Sequence, residues 1–217
     1  NQLPKSALLN RYGLRGPWPE RAKGPRDLRI ACVGDSCTYG FCVSYDSAYG
    51  VRLERILQNA LPDRSVDAYL VGMTGYSTHQ SRVLVERHLG ELAPDVTILY
   101  LGAWNDYLPA VPYDDPERAR RSHRTFRLHS LIDRLGEPDE EQFTFLREEF
   151  RAGRAPLGRR VPLPQFRANV AAILAAARNL GSATILVVPP VPASTRTAHP
   201  AGTEYRDCLL QLAAAEQ

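Results

Sequence analysis

The stretch "RIACVGDSCTYGFCV", residues 29–43, runs apolar up to Gly34-Asp35-Ser36 and then turns small and polar. A serine placed where a strand hands over to a helix can do three things. It can cap the helix by accepting a hydrogen bond from a free N–H. It can help cradle an anion such as phosphate. It can attack an acyl carbon while nearby N–H groups hold the oxyanion. For Ser36 taken alone, capping is the simplest of the three. Two further segments shift the balance. "VGMTGYSTHQ" (71–80) supplies Gly75, whose lack of a side chain lets a backbone N–H approach a ligand closely. "LGAWNDY" (101–107) supplies Asn105, a side-chain amide donor. A serine hydroxyl, backbone N–H groups and a carboxamide N–H together make the inventory of a nucleophile with its oxyanion hole.

These residues need elements to position them, and the hydropathy pattern provides a repeating unit. "DLRIACVGD" (27–35), "VDAYLVG" (66–72), "DVTILYLG" (95–102) and "ATILVVPP" (183–190) read as buried strands. "YGVRLERILQNAL" (49–61), "THQSRVLVERHLGEL" (78–92) and "FRANVAAILAAARNLG" (166–181) repeat apolar residues at helical spacing, and "EYRDCLLQLAAAEQ" (204–217) begins one more helix. Strands alternating with helices imply an α/β fold with a parallel sheet, right-handed crossovers and helices on both faces. Such sheets bind ligands beyond the carboxyl ends of their strands. Ser36, Gly75 and Asn105 each fall just after such an end.

The chain reads as a single domain over 1–217, with an N-terminal extension (1–27) and a helical insertion after the third strand (107–163). The insertion leaves the carboxyl end of that strand directly, which favours a lid or substrate-shaping element over a helical pair packed away from the site. Hydrophobic residues make up 44% of the chain and charged ones 24%, an ordinary composition for a chain with a packed core. The formal charge of +3 comes from interspersed arginines and acids without a long single-sign run, which argues against nucleic acid as a partner. No apolar run is long enough to span a bilayer and the start lacks a signal-peptide core, so the chain reads as soluble, either cytoplasmic or exported. Cys32, Cys37, Cys42 and Cys208 fit neither a disulfide-rich scaffold nor a zinc pattern. Cys32 and Cys37 are expected to be packed thiols, Cys37 as a nucleophile being the lesser reading because no basic residue is close in sequence, and a Cys37–Cys42 disulfide is a separate, unsupported option.

Gly34-Asp35-Ser36 with Thr38 and Gly40, the glycine before "YST", and Asn105-Asp106 resemble, in order, the first three blocks of the GDSL-type esterases and lipases, also called SGNH hydrolases. "NRYGLRGPWPE" (10–20) and "VPLPQFRANVAAILAAARNLGSATILVVPP" (161–190) are similar to bacterial members as well. The resemblance implies a flavodoxin-like three-layer α/β/α sandwich. It implies a serine ester hydrolase acting on carboxylic (acyl or acetyl) esters of small molecules, glycans or lipids, with Ser36 as nucleophile. The oxyanion would be held by the Ser36 N–H, the Gly75 N–H and the Asn105 side chain, with no cofactor and no metal. An acyltransferase of the same family, or a pocket-retaining homologue that binds an acylated glycan or an anionic ligand without catalysis, are the alternatives.

Two departures from the family pattern stand out. Ala103 occupies the place of a glycine in the third block. The last block, an aspartate three residues before a histidine, has no counterpart, so the general base is expected from sequence outside this chain. His199-Pro200 is similar to part of that block, but Arg196 stands where the aspartate should be. His199 therefore reads first as a loop residue and second as a base. His79 reads as a helix-start or surface residue, and His88, His123 and His129 as solvated. Asp35 and Asp106 are expected to brace their loops, and Trp104 to line a pocket or fill core.

Overall fold

The computed structural model describes residues 9–101, 104–108, 158–188 and 200–215. Four parallel strands form one sheet in the order β2-β1-β3-β4. They are β1 (Asp27–Gly34), β2 (Ser65–Gly72), β3 (Val96–Tyr100) and β4 (Ala183–Leu186). The helices are α1 (Ser36–Tyr39), α2 (Tyr49–Ala60), α3 (Thr78–Leu92), α4 (Trp104–Tyr107), α5 (Leu163–Asn179) and α6 (Pro200–Ala215). The sheet is therefore the α/β arrangement that the strand–helix alternation predicts.

The period-2 alternation of a strand sends successive side chains to opposite faces, and here both faces are buried. Ala31, Val33, Tyr69, Val71 and Leu99 face a core shared with Val85, Leu89 and Leu92 of α3, Phe166, Val170 and Ile173 of α5, and Tyr205 and Leu209 of α6. Ile30, Cys32, Ala68, Leu70 and Ile98 face the opposite core, where Val51, Leu53 and Leu57 of α2 pack. The N-terminal segment contributes to the first core as well, through Leu14 and Trp18.

Several boundaries differ from the sequence reading. β3 and β4 are shorter than their apolar runs: Asp95 and Leu101 lie outside β3, and Val187 and Val188 lie outside β4. α5 starts three residues early, because Pro164 fits the first turn, where its missing N–H has no helical partner to lose. Residues 109–157, most of the insertion, lie outside the described residues. No described helix is long and apolar enough to cross a membrane.

Candidate active site

Register brings the three strand ends together. Gly34 pairs with Gly72 on one side and with Tyr100 on the other. Ser36, Gly75 and Asn105 therefore leave the same edge of the sheet from adjacent strands. The junction is tight: a Cβ on Gly34 would lie 2.2 Å from Thr38 Oγ1 and 2.5 Å from the Tyr100 carbonyl oxygen. Only glycine fits at that point, so the chain can turn directly from β1 into α1.

At the start of α1 the cap is Asp35, not Ser36. The Asp35 carboxylate is buried and accepts the Cys37 N–H at 2.9 Å. Among the described residues the half-buried Ser36 hydroxyl makes no hydrogen bond. Thr38 is fully buried, its hydroxyl 3.2 Å from the Tyr49 hydroxyl. Arg15, a residue the sequence reading passed over, secures the far end of α1. It is 7% exposed, and its guanidinium donates to the carbonyls of Tyr39 (3.1 Å), Gly40 (2.8 Å) and Val43 (3.0 Å). It also lies over the rings of Tyr39 and Tyr45.

Gly75 occupies the third position of a turn closed by the Tyr76 N–H donating to the Met73 carbonyl at 3.2 Å. Its φ of +79° is what a type II turn requires there. A Cβ on Gly75 would meet nothing within 4 Å, so the turn opens onto free space. The Asn105 side-chain amide donates to the Tyr76 carbonyl at 2.9 Å. That bond ties α4 to the glycine turn and leaves the second Asn105 N–H without an acceptor among the described residues.

Asp106 braces this arrangement from behind. It is 3% exposed and accepts both the Thr78 N–H (2.9 Å) and the Thr78 hydroxyl (2.5 Å). The Asn169 side chain donates in turn to the Thr78 hydroxyl at 3.2 Å. Burial pushes the Asp106 carboxyl up to about 6, against the opposing pull of the Thr78 hydrogen bonds and of the Arg160 charge. Trp104 is 43% exposed and meets Tyr107 edge-on at 5.4 Å, so it lies at the surface instead of filling core.

The histidines divide. His79 is exposed at the second position of α3. His88 is not simply solvated: it is half-buried, its ring 4.1 Å from Tyr12 and its Nδ1 3.1 Å from Glu91. Glu91 also accepts from Tyr12, Arg11 and Trp18, and these donors hold its carboxyl at about 2. The His88–Glu91 pair cannot serve Ser36. It lies near the C-terminal end of α3, on the order of 15 Å along the helix from Thr78 at 1.5 Å per residue. His123, His129 and His199 lie outside the described residues.

All four cysteines are free. Cys37 is exposed, which corrects the expectation of a packed thiol. The four-residue α1 buries Thr38 and turns its neighbour outward. Although the residue is exposed, its sulfur is partly shielded from water, and that desolvation together with the nearby Asp35 carboxylate raises the Cys37 thiol above its usual value, so it is a weak competitor to Ser36 as a nucleophile. The described residues contain no group of three or more His, Cys, Asp or Glu able to hold a metal ion.

A parallel sheet sandwiched between helices, with loops from adjacent strand ends converging on one edge, is the architecture of the SGNH-type hydrolases. The chain belongs to the GDSL-like lipase/acylhydrolase family, whose model matches residues 32–217. A serine nucleophile and an oxyanion hole are features of that family. Among solved structures, the acetyl xylan esterase AlAXEase has a TM-score of 0.54 at 14% identity, over 87% of this chain and 73% of that one. The lipase/acylhydrolase from Enterococcus faecalis has a TM-score of 0.51 at 18% identity, over 87% and 72%. The psychrotrophic esterase EstA from Pseudoalteromonas sp. has a TM-score of 0.51 at 11% identity, over 86% and 72%. At such identities the likeness is one of fold. No curated protein matches in sequence.

Proposed function

We propose that this chain is a serine ester hydrolase acting on carboxylic esters, with an acyl-enzyme formed on Ser36. The observation that carries the reading is the division of labour at the start of α1. Asp35 takes the cap bond at the Cys37 N–H, and among the described residues the Ser36 hydroxyl makes no hydrogen bond, at the same sheet edge as the two donor-bearing turns. Ser36 Oγ attacks the acyl carbon and the carbonyl oxygen becomes an oxyanion. The Ser36 N–H, the Gly75 N–H and the second Asn105 side-chain N–H stabilise that charge. Collapse of the tetrahedral intermediate expels the alcohol, and water then hydrolyses the acyl-serine. The hydroxyl needs a general base to react near neutral pH. His88, committed to Glu91 near the far end of α3, does not supply that base. We read 1–27 as an N-terminal extension and 107–163 as an insertion, a lid or substrate-shaping element, of one domain.

A fluorophosphonate probe tests this directly. The expected result is a single mass adduct that peptide mapping places on Ser36 and that Ser36→Ala abolishes, while Cys37→Ala retains it. Wild-type protein that takes up no adduct refutes the reading.

A further inference from the structure

The residues that follow the insertion return to the site. Val161 N–H donates to the Asp106 carbonyl at 3.0 Å and Arg160 N–H to the Leu108 carbonyl at 2.9 Å. The Arg159 guanidinium donates to the Tyr107 carbonyl at 2.8 Å. These three carbonyls lie at the end of α4, a helix of four residues that cannot satisfy its own C-terminal oxygens. The Arg160 guanidinium reaches the other way and donates to the Gly75 carbonyl at 2.7 Å. Val161 is 4% exposed, and its carbonyl accepts the buried Tyr205 hydroxyl at 2.5 Å, which anchors the segment in the core.

We propose that residues 159–161 form a strap that fixes the Asn105 turn against the Gly75 turn, with Arg160 as a positioning residue for the oxyanion hole. The inference rests on the reading of Ser36, Gly75 and Asn105 given above. The physical need for a strap follows from the Gly75 turn itself. It faces open space, its glycine has the widest backbone freedom of any residue, and its own closing bond is 3.2 Å long. Two side chains hold it from outside: Asn105 at the Tyr76 carbonyl and Arg160 at the Gly75 carbonyl. The Arg160 bond fixes the 75–76 peptide at the Gly75 carbonyl, and the Tyr76 N–H bond to Met73 ties that same peptide back to the start of the turn; held at both ends, the turn keeps the Gly75 φ at +79°, and with it the direction of the Gly75 N–H. Oxyanion stabilisation depends on donors standing where the charge will develop, so a turn free to swing gives up part of its effect. Arg160 acts through a backbone carbonyl and not on the substrate, so its removal should lower turnover without weakening substrate binding.

The test compares wild type, Arg160→Met and Arg160→Lys on p-nitrophenyl acetate and on a fluorophosphonate, with unfolding midpoints measured alongside. Arg160→Met should lower kcat and the rate of Ser36 phosphonylation by about 10- to 100-fold, with KM changed by no more than about threefold. Arg160→Lys, which keeps one cationic donor, should recover part of the rate. Wild-type kcat in Arg160→Met overturns the strap. A raised KM at unchanged kcat overturns it too, because Arg160 would then be touching substrate. If wild type neither turns over ester nor takes up phosphonate, the hydrolase reading fails by itself. The strap is then decided by amide exchange at Tyr76, where about tenfold faster exchange in Arg160→Met supports it and unchanged exchange overturns it.

Discussion

Replacing Asp106 by asparagine should make this protein more stable at neutral pH, although the residue is buried and hydrogen-bonded. The carboxyl is 3% exposed, and desolvation lifts it from an ordinary 3.8 to about 6. The Thr78 hydroxyl and N–H and the charge of Arg160 pull the other way without overcoming burial, and the neighbouring Asp35 adds to the rise. A raised folded value means that the native state holds the proton more tightly than the unfolded chain does. The stability this contributes is complete below pH 3.8 and is lost as the pH climbs through about 6. A rise of about 2 units, at roughly 1.4 kcal/mol each, puts the loss at up to about 3 kcal/mol. Asp106→Asn keeps an oxygen to accept from Thr78 and cannot ionise. The two proteins should therefore match near pH 4, with the variant ahead by up to about 3 kcal/mol at pH 7.5. Urea unfolding followed by circular dichroism between pH 4 and 8 measures the difference. Asp27, Glu91 and Asp95, held below the usual carboxylate range by their partners, are common to both proteins and cancel. A difference that stays flat with pH refutes the reasoning. A variant that falls behind wild type as the pH rises shows that Thr78 and Arg160 outweigh burial.

Two further predictions concern the nucleophile's surroundings. Arg15→Met removes the donor to three carbonyls around the end of α1 and leaves them without that partner, and should cost about 3 kcal/mol in urea unfolding; a loss below about 1 kcal/mol contradicts the role given to this side chain. Ellman's reagent should titrate Cys37 and Cys42 in the native protein, and reach Cys32 and Cys208 only on unfolding, since both are buried and burial pushes the Cys32 thiol to about 12. Loss of both fast-reacting thiols would show a Cys37–Cys42 disulfide instead.

The fold and the three loops of the candidate site were legible along the chain for a local reason. A buried parallel strand is a short apolar run, and the residue that follows it must lie at the sheet's carboxyl edge whatever the rest of the chain does. Asp35 and Asp106 were legible as loop braces on the same ground, because short acidic side chains beside a strand end find backbone or hydroxyl donors nearby. Glu91 lies one turn along the helix from His88, a pairing the spacing allows, but the partial burial of His88 was not legible because Tyr12, far away in the chain, packs on its ring. The exposure of Cys37 was misjudged because it depends on which way a single-turn helix rolls.

The amino-acid sequence by itself determined the order of strands and helices, the family, and the placement of Ser36, Gly75 and Asn105 at successive strand ends. Only the tertiary structure decided what Ser36 is spared from doing, since either neighbour could cap the helix and the fold sets its first turn so that the Asp35 carboxylate accepts the Cys37 N–H. It alone joined Arg160 to Gly75, residues 85 positions apart, and Arg15 to Gly40, residues 25 apart. A guanidinium finds a carbonyl through space, and no periodicity in the chain records which carbonyl the folded sheet will bring within its reach.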